Sequence, residues 1–473
     1  MSKMIHTKIL LPLIASLASA LPLAVNAQSA ALNSATKEDD FGIVLPNWMT
    51  ELSLGVKEGY DSNLLGVSGY GLRPKESFFT TISPKIALNL APAPSSQSAI
   101  KVFSLTYSPD LTWYYNAPEE NYRAQKIGNV LKAKLGDFSF SADNSFLYND
   151  GDTVAPTYAV NPSSATDAND RFRNFYAFAM PRERREQIQD RANVTMQYDV
   201  NQVFVRPTAS LIYYDLMTEQ RLATAASGNL GYQNFPDRYD VNGGADLGYK
   251  LSNDLAVTIG YRYGHQYQAP FPLTVSPADQ HFASSDYHRI LLGVEGKCGI
   301  FTFKVLGGPD FRDYNSMAAV NDFHPVKYYG EASISAKLTD NQSLTLNCKQ
   351  WEWVAASGLV PYFDSSFALN YHINATKKLG LDLGGKIVEA DFTGGNETGA
   401  LVASQTASQR DDRMYSVMAG MSYAFTSRLG TTLSYSYDYG ANVLGTLPAG
   451  LIPTAQYRNF SHQLVTAGIT YKF

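Results

Sequence analysis

The sequence predicts an all-β fold, a transmembrane up-and-down antiparallel β-barrel of about eighteen strands. Three observations predict it. Successive segments alternate apolar and polar side chains with period two, giving each strand one face for lipid and one for a wet interior. The connections are alternately short and long, as when tight turns gather at the periplasmic rim and loops at the outer rim. Aromatic residues on the apolar face collect at two heights, near the short turns and near the long loops. Bilayer interfaces select such girdles, because Tyr and Trp keep a polar edge among the headgroups.

Composition agrees with this. Charged residues make up 17% of the chain, below the ~25% of soluble domains, while Tyr (31) and Phe (24) are abundant. A net charge of −5 opposes a nucleic-acid partner. The one long apolar stretch, Ile9 to Val25, follows Lys3 and Lys8 and ends at Val25-Asn26-Ala27. This reads as a secretory signal peptide over 1–27, with no transmembrane helix of ~20 residues after it. A short periplasmic lead-in is expected over 28–47 and the barrel over 48–473.

The first strand, Met49 to Tyr60, sets Leu52, Leu54 and Val56 against Glu51, Ser53 and Lys57. Ser77 to Leu90 carries Ile82, Ile86, Leu88 and Leu90 on one face, and Ile100 to Tyr115 is apolar at odd positions from Phe103. Fifteen more follow at 123–135, 138–149, 186–199, 203–215, 237–251, 255–267, 286–298, 300–314, 326–338, 342–354, 363–376, 379–392, 412–425, 428–440 and 459–473. The even count suits a barrel with both termini in the periplasm. Pro84, Pro109, Pro207 and Pro309 fall inside these strands, where each lacks a ladder donor. Bulges or earlier strand ends are the expected remedy, with a change of two in the strand count left open. Cys298 and Cys348 lie three strands apart, roughly 14 Å at ~4.8 Å per strand, too far for a disulfide.

The inward faces carry both signs, including Arg206, Arg262 and Arg289 with Asp110, Asp246 and Glu295. Lys101, Arg238, Lys304, Arg312, Asp240, Asp310, Glu331 and Asp382 share that face. Two readings stand side by side: charges that bias which solutes pass, or charges that keep the lumen wet and knit its wall. The longest link, 150–185, is the third outer loop and holds Arg171, Arg173, Arg182, Arg184 and Arg185 among aromatics. It is similar in position and length to the third outer loop of general porins, which folds inward and narrows the lumen. That likeness implies a constriction favouring anions; a solvated lid or a lipopolysaccharide contact is the alternative.

Gly59-Tyr60-Asp61-Ser62-Asn63 closes the first strand in what reads as an Asx-type turn. It resembles an element after the first strand of outer-membrane β-barrel porins, some of which accompany exopolysaccharide loci. Solute passage or polysaccharide export is what the resemblance implies. The ending, Ser461 to Phe473, resembles the carboxy-terminal signal of outer-membrane barrels. That implies Tyr471 and Phe473 as the assembly signal and the barrel assembly machinery as a partner.

No zinc-helix, nucleophile-elbow or phosphate-loop motif occurs. His265, His281 and His288 near Ser284, Ser285 and Asp286 offer a hydrolase alternative, against which polar loop residues are the commoner explanation. The reading is a non-enzymatic outer-membrane channel, without cofactor, for passive diffusion of small hydrophilic solutes. Lipid and lipopolysaccharide surround it, and homo-oligomerisation is open. The alternatives are an exopolysaccharide export conduit or a structural surface protein. A conduit calls for inward aromatics along a path, and inward Tyr214 and Tyr329 are few.

Overall fold

The structure, a computed structural model, describes residues 45–64, 76–92, 98–150, 186–215, 217, 237–269, 284–314, 326–354, 361–391, 410–444 and 460–473. The expected signal peptide lies outside the described residues, as does the lead-in up to 44. So does the Arg-rich loop bearing Arg171, Arg173, Arg182, Arg184 and Arg185.

Nineteen strand segments form one antiparallel sheet: β1 (Met49–Asp61), β2 (Ser77–Asn89), β3 (Ile100–Tyr107), β4 (Asp110–Tyr114), β5 (Tyr122–Leu135), β6 (Phe138–Asn149), β7 (Gln187–Val200), β8 (Val203–Asp215), β9 (Arg238–Lys250), β10 (Leu255–Gln268), β11 (Ser285–Cys298), β12 (Phe301–Asp313), β13 (Val326–Thr339), β14 (Gln342–Val354), β15 (Pro361–Asn374), β16 (Leu379–Asp391), β17 (Arg410–Ala424), β18 (Leu429–Leu444) and β19 (Phe460–Lys472). Both β2 and β5 pair with β3 and with β4, so those two segments share one place in the wall and the barrel has eighteen staves. Each stave pairs with its sequence neighbours, and β1 with β19 closes the ring. No helix among the described residues is long and apolar enough to cross a membrane. The crossing is made by strands.

The prolines explain the break and leave the count intact. Ser108-Pro109 separates β3 from β4. Pro84 lies opposite that break and pairs only with Leu54 of β1. Pro207 and Pro309 stay within their strands. The β7–β8 ladder skips the rungs beside Pro207, and the β11–β12 ladder skips those beside Pro309. Each missing donor therefore falls where a rung is already absent, without a bulge.

Two-residue turns at the periplasmic rim take a left-handed first residue: Gly136 (φ 59°), Asn201 (φ 55°) and Gly299 (φ 59°). Gly and Asn adopt that conformation at least cost, which keeps these hairpins tight. The outward face is uncovered and apolar. Leu292 (66% exposed), Ile469 (57%) and Leu383 (55%) lie in the middle band, with Tyr198, Tyr249 and Phe301 below and Trp113, Tyr115 and Tyr263 above. A closed belt of this kind would drive aggregation in water. In a bilayer it is satisfied, and the closed ladder leaves no backbone edge for lipid to solvate. The protein is an integral β-barrel of the outer membrane. Cys298 and Cys348 are free.

The seam between β1 and β19 is held at both rims. At the outer rim Asn63 N–H donates to Asp61 Oδ1 at 3.0 Å, the expected Asx turn. The Asn63 side chain donates to the Ser461 carbonyl (2.9 Å), and Gln463 N–H donates to Ser62 Oγ (2.8 Å). His462 sits between Asp61 (3.0 Å) and Asp438 (3.2 Å), tying β19 to β1 and β18. At the periplasmic rim Phe473 N–H donates to the Leu52 carbonyl at 2.9 Å, and its ring packs edge-on against Tyr471 at 5.2 Å. Deleting Phe473 removes one rung and one girdle ring of many. Its expected effect is therefore a loss of barrel in the membrane fraction, with unchanged conductance in the barrels that do insert. Normal yields of the truncated chain would count against the assembly-signal reading.

Candidate functional site: the lumen

Inward side chains of the described residues interlock in cross-strand ion pairs. Arg206 of β8 donates through both terminal nitrogens to Glu295 of β11, one bond measuring 2.8 Å, and through Nε to Gln197 (2.8 Å). Asp246 of β9 takes Arg262 at 2.6 Å and lies 4.0 Å from Arg206. Asp310 of β12 receives Arg289 and Arg312, each at 2.9 Å. Asp110 receives Lys126 at 2.5 Å and the Ser83 hydroxyl at 2.5 Å. Lys101 departs from the expected inward set: it sits at a bulge in the β3–β5 ladder and donates to the Ser98 carbonyl (2.9 Å). Every named inward Arg, Asp and Glu of the candidate set that falls within the described residues is thus engaged with an opposite charge. Such pairs brace the wall before they can act on a solute.

Close contact across strands makes this possible. Tyr287 is fully buried and donates to both carboxylate oxygens of Asp240, at 3.0 and 3.1 Å. Its ring lies beneath Arg289 (3.9 Å) and Arg312 (4.6 Å) and covers Gly264 of β10. A Cβ at Gly264 would stand 2.2 Å from that ring. Gly264→Ala is expected to cost about 1–3 kcal/mol by overpacking, read as a lower urea midpoint for the detergent-folded barrel. An unchanged midpoint would show that Tyr287 moves freely.

The largest departure from the expected pattern is at β14 and β15. β13–β14 pairing ends at Gly330 and Gln350, although β13 begins four residues earlier, at Val326. Yet β14 and β15 remain paired to Val354 and Pro361. The β14 end has left β13, whose residues from Val326 to Tyr329 have no partner in β14. It turns inward: Gln266 of β10 donates to the Glu352 carbonyl (2.9 Å), as does Arg312 (3.3 Å), and Arg238 of β9 donates to the Val354 carbonyl (2.6 Å). In the wall β10 and β14 are four staves apart, roughly 19 Å at ~4.8 Å per stave, so only a strand end inside the lumen can accept those bonds.

Burial follows the geometry. Alternation stops at Gln350, and Trp351, Glu352, Trp353 and Val354 are all buried. Trp351 and Trp353 stack at 4.7 Å and form an apolar cluster with Tyr362 and Ala390, against which Ile212, Tyr214 and Tyr329 pack. Arg238 lies over both Tyr214 (4.8 Å) and Trp353 (5.3 Å). Glu352 accepts from Tyr314, and Lys327 lies 3.8 Å away.

Inward aromatics are therefore more numerous than the expected Tyr214 and Tyr329, with Tyr287, Trp351, Trp353 and Tyr362 added. Tyr214, Tyr329, Trp351, Trp353 and Tyr362 belong to one packed cluster, while Tyr287 lies beneath Arg289 and Arg312. The signal in the sequence was two Trp residues at inward positions, where a wet lumen has no use for them.

Of the residues of the hydrolase alternative, His281 lies outside the described residues and Ser284 accepts from Gln268 N–H at 3.0 Å. His265 lies 2.9 Å from Asp286 on the outward face, while Ser285 is on the lumen face, accepting from Arg312 at 3.2 Å. Tyr261 meets His288 at 2.6 Å, again on the outward face. Among the described residues no group of His, Cys, Asp and Glu is placed to hold a metal ion.

No protein-family model matches the chain. No curated protein matches it in sequence. Among solved structures it is similar to the outer membrane protein OpdK from Pseudomonas aeruginosa, at 9% identity, TM-score 0.38, over 89% of this chain and 99% of that one. OccAB4 from Acinetobacter baumannii gives 12% identity, TM-score 0.39, over 91% and 100%. OccK2 (OpdF) from Pseudomonas aeruginosa gives 8%, TM-score 0.39, over 89% and 98%. At such identities and scores the likeness carries nothing about solutes, and the fold rests on the barrel's own closed ladder.

Proposed function

We propose that this barrel is an outer-membrane channel for passive diffusion of small hydrophilic solutes, working without cofactor or covalent chemistry. The observation that carries the reading is the eighteen-stave wall with a charged, hydrogen-bonded inner face and an apolar outer one. Barrels of 16–18 strands enclose water, and the inward β14–β15 hairpin narrows this one on its outer half, which suits small solutes. A non-enzymatic role is supported by Ser285 and His288 projecting to opposite sides of the wall.

Recording from the purified chain in planar bilayers tests this, with stable open steps expected. A barrel that inserts yet passes no current would sink the channel reading. The Arg-rich third outer loop is a second constriction in this proposal, acting through Arg171, Arg173, Arg182, Arg184 and Arg185. Deleting 165–182 should raise conductance and reduce anion preference. Unchanged conductance and ion selectivity would remove the loop from the path.

A further inference from the structure

We infer that the outer end of β14, Trp351–Val354, is a gate that moves between the lumen and a place in the wall beside β13. The inference deepens the channel reading, on which it rests, by naming the element that narrows and widens the path. The place in the wall is already prepared. The β13–β14 ladder stops at Gly330 and Gln350, yet β13 is extended from Val326 and β14 as far as Val354. Continued one for one, the same register sets Tyr329 opposite Trp351, Tyr328 opposite Glu352, Lys327 opposite Trp353 and Val326 opposite Val354. No bulge is needed, and all eight residues already have strand backbone. The movement is therefore a fold of the sheet about the Gln350 rung, with β14 still paired to β15.

The two positions compete for the same acceptors. In an antiparallel ladder a residue directs its N–H and C=O to one neighbour, and the next residue directs them to the other. Asn374 of β15 donates to the Asn341 carbonyl, and Lys337 of β13 donates to the Ile300 carbonyl beside β12. Odd positions of β14 thus serve β15, and even positions of β13 serve β14. Glu352 and Val354 are even, so their carbonyls are the ones that Tyr328 and Val326 of β13 would take in the wall. In the inward position those two carbonyls are held from the far side instead: Glu352 by Gln266 (2.9 Å) and Arg312 (3.3 Å), Val354 by Arg238 (2.6 Å). Side-chain donors stand in for ladder donors, so neither position leaves the carbonyls without a partner. That equivalence is what a bistable element requires. In the wall Glu352 would emerge beside Tyr328, at the outer rim, where a carboxylate meets headgroups and water.

A cysteine pair reads the movement directly. With Cys298 and Cys348 replaced by Ala, V326C/V354C sets its thiols opposite each other only in the wall position. In the inward position Val354 is fully buried inside, while Val326 is 53% exposed on the outer face. G330C/Q350C is the control, because a Cβ at Gly330 stands 4.0 Å from that of Gln350, within disulfide reach in both positions. Copper phenanthroline should close both pairs in the detergent-folded full chain, seen by mass as the loss of two alkylatable thiols. In planar bilayers the bridged V326C/V354C should stay at a wider conductance level, and a reductant should restore the narrower one. The control should show the same current bridged and reduced. Gln266→Ala, which removes one holder of the Glu352 carbonyl, should raise the time spent at the wider level roughly fivefold, the scale of one hydrogen bond. A bridge in the control with none in V326C/V354C overturns the gate, as does a V326C/V354C bridge that leaves conductance unchanged. A V326C/V354C bridge in a barrel that passes no current in any variant would support the movement and sink the channel reading instead.

Discussion

Replacing Trp351–Tyr362 by a tight two-residue turn should raise single-channel conductance severalfold while leaving the barrel closed. Beyond Gln350 the β14 end pairs only with β15, so its removal costs β13 no rung. What it occupies is lumen. Its two stacked Trp rings, Tyr362 and the buried Glu352 fill space between the β14–β15 wall and the opposing β8 to β12 wall. Trp353→Ala alone should give a smaller rise, because Arg238 loses a ring but keeps its bond to the Val354 carbonyl. Planar-bilayer recording reads both. Conductance equal to that of the unaltered chain in the shortened variant would place the hairpin off the permeation path.

Asp310→Ala should be the most destabilising single change in the wall. Its carboxylate is 1% exposed and is the shared acceptor of Arg289 and Arg312, themselves buried. Removing it leaves two guanidinium groups close together in a site that water does not reach. Breaking a buried pair in this way costs about 3–5 kcal/mol, and here two cations are orphaned at once. Urea unfolding of the detergent-folded barrel should show the loss as a lower midpoint. Asp340→Ala, which breaks an exposed turn pair with Lys337, should leave the midpoint unmoved. An unaltered midpoint for Asp310→Ala would mean that neighbouring carboxylates such as Asp240 take over the two arginines.

The wall was readable before the structure because its determinants are local. Alternation assigns a face to each residue, and tight turns mark the rims. Closure follows from an even strand count and from β19 offering the same pattern as β1. Ser461 to Phe473 pairs with β1 and β18 as that reading required. The four prolines were visible as an anomaly, but their resolution was not. Whether a rung can be spared beside Pro207 or Pro309 depends on the neighbouring strand, which no local pattern records.

The candidate charges were legible as inward, while their partners were not. Arg206 and Glu295 are separated by 89 positions in the chain, and only the barrel's curvature and stagger bring them together. The same holds for the hairpin. The sequence reading counted only Tyr214 and Tyr329 as inward aromatics and missed Trp351 and Trp353, because alternation treats every strand as staying in the wall. Peeling became favourable because the opposite wall presents donors, Arg238, Gln266 and Arg312, for the backbone carbonyls that the peeled strand exposes.

By itself, then, the sequence determined a lipid-facing barrel with its rims, girdles and polar interior, since each follows from periodicity and transfer free energy along a few residues. Only the tertiary structure decided how that interior is used: which charges neutralise each other and which strand end leaves the wall. Those are contacts between staves far apart in the chain, set by the geometry of the closed ring.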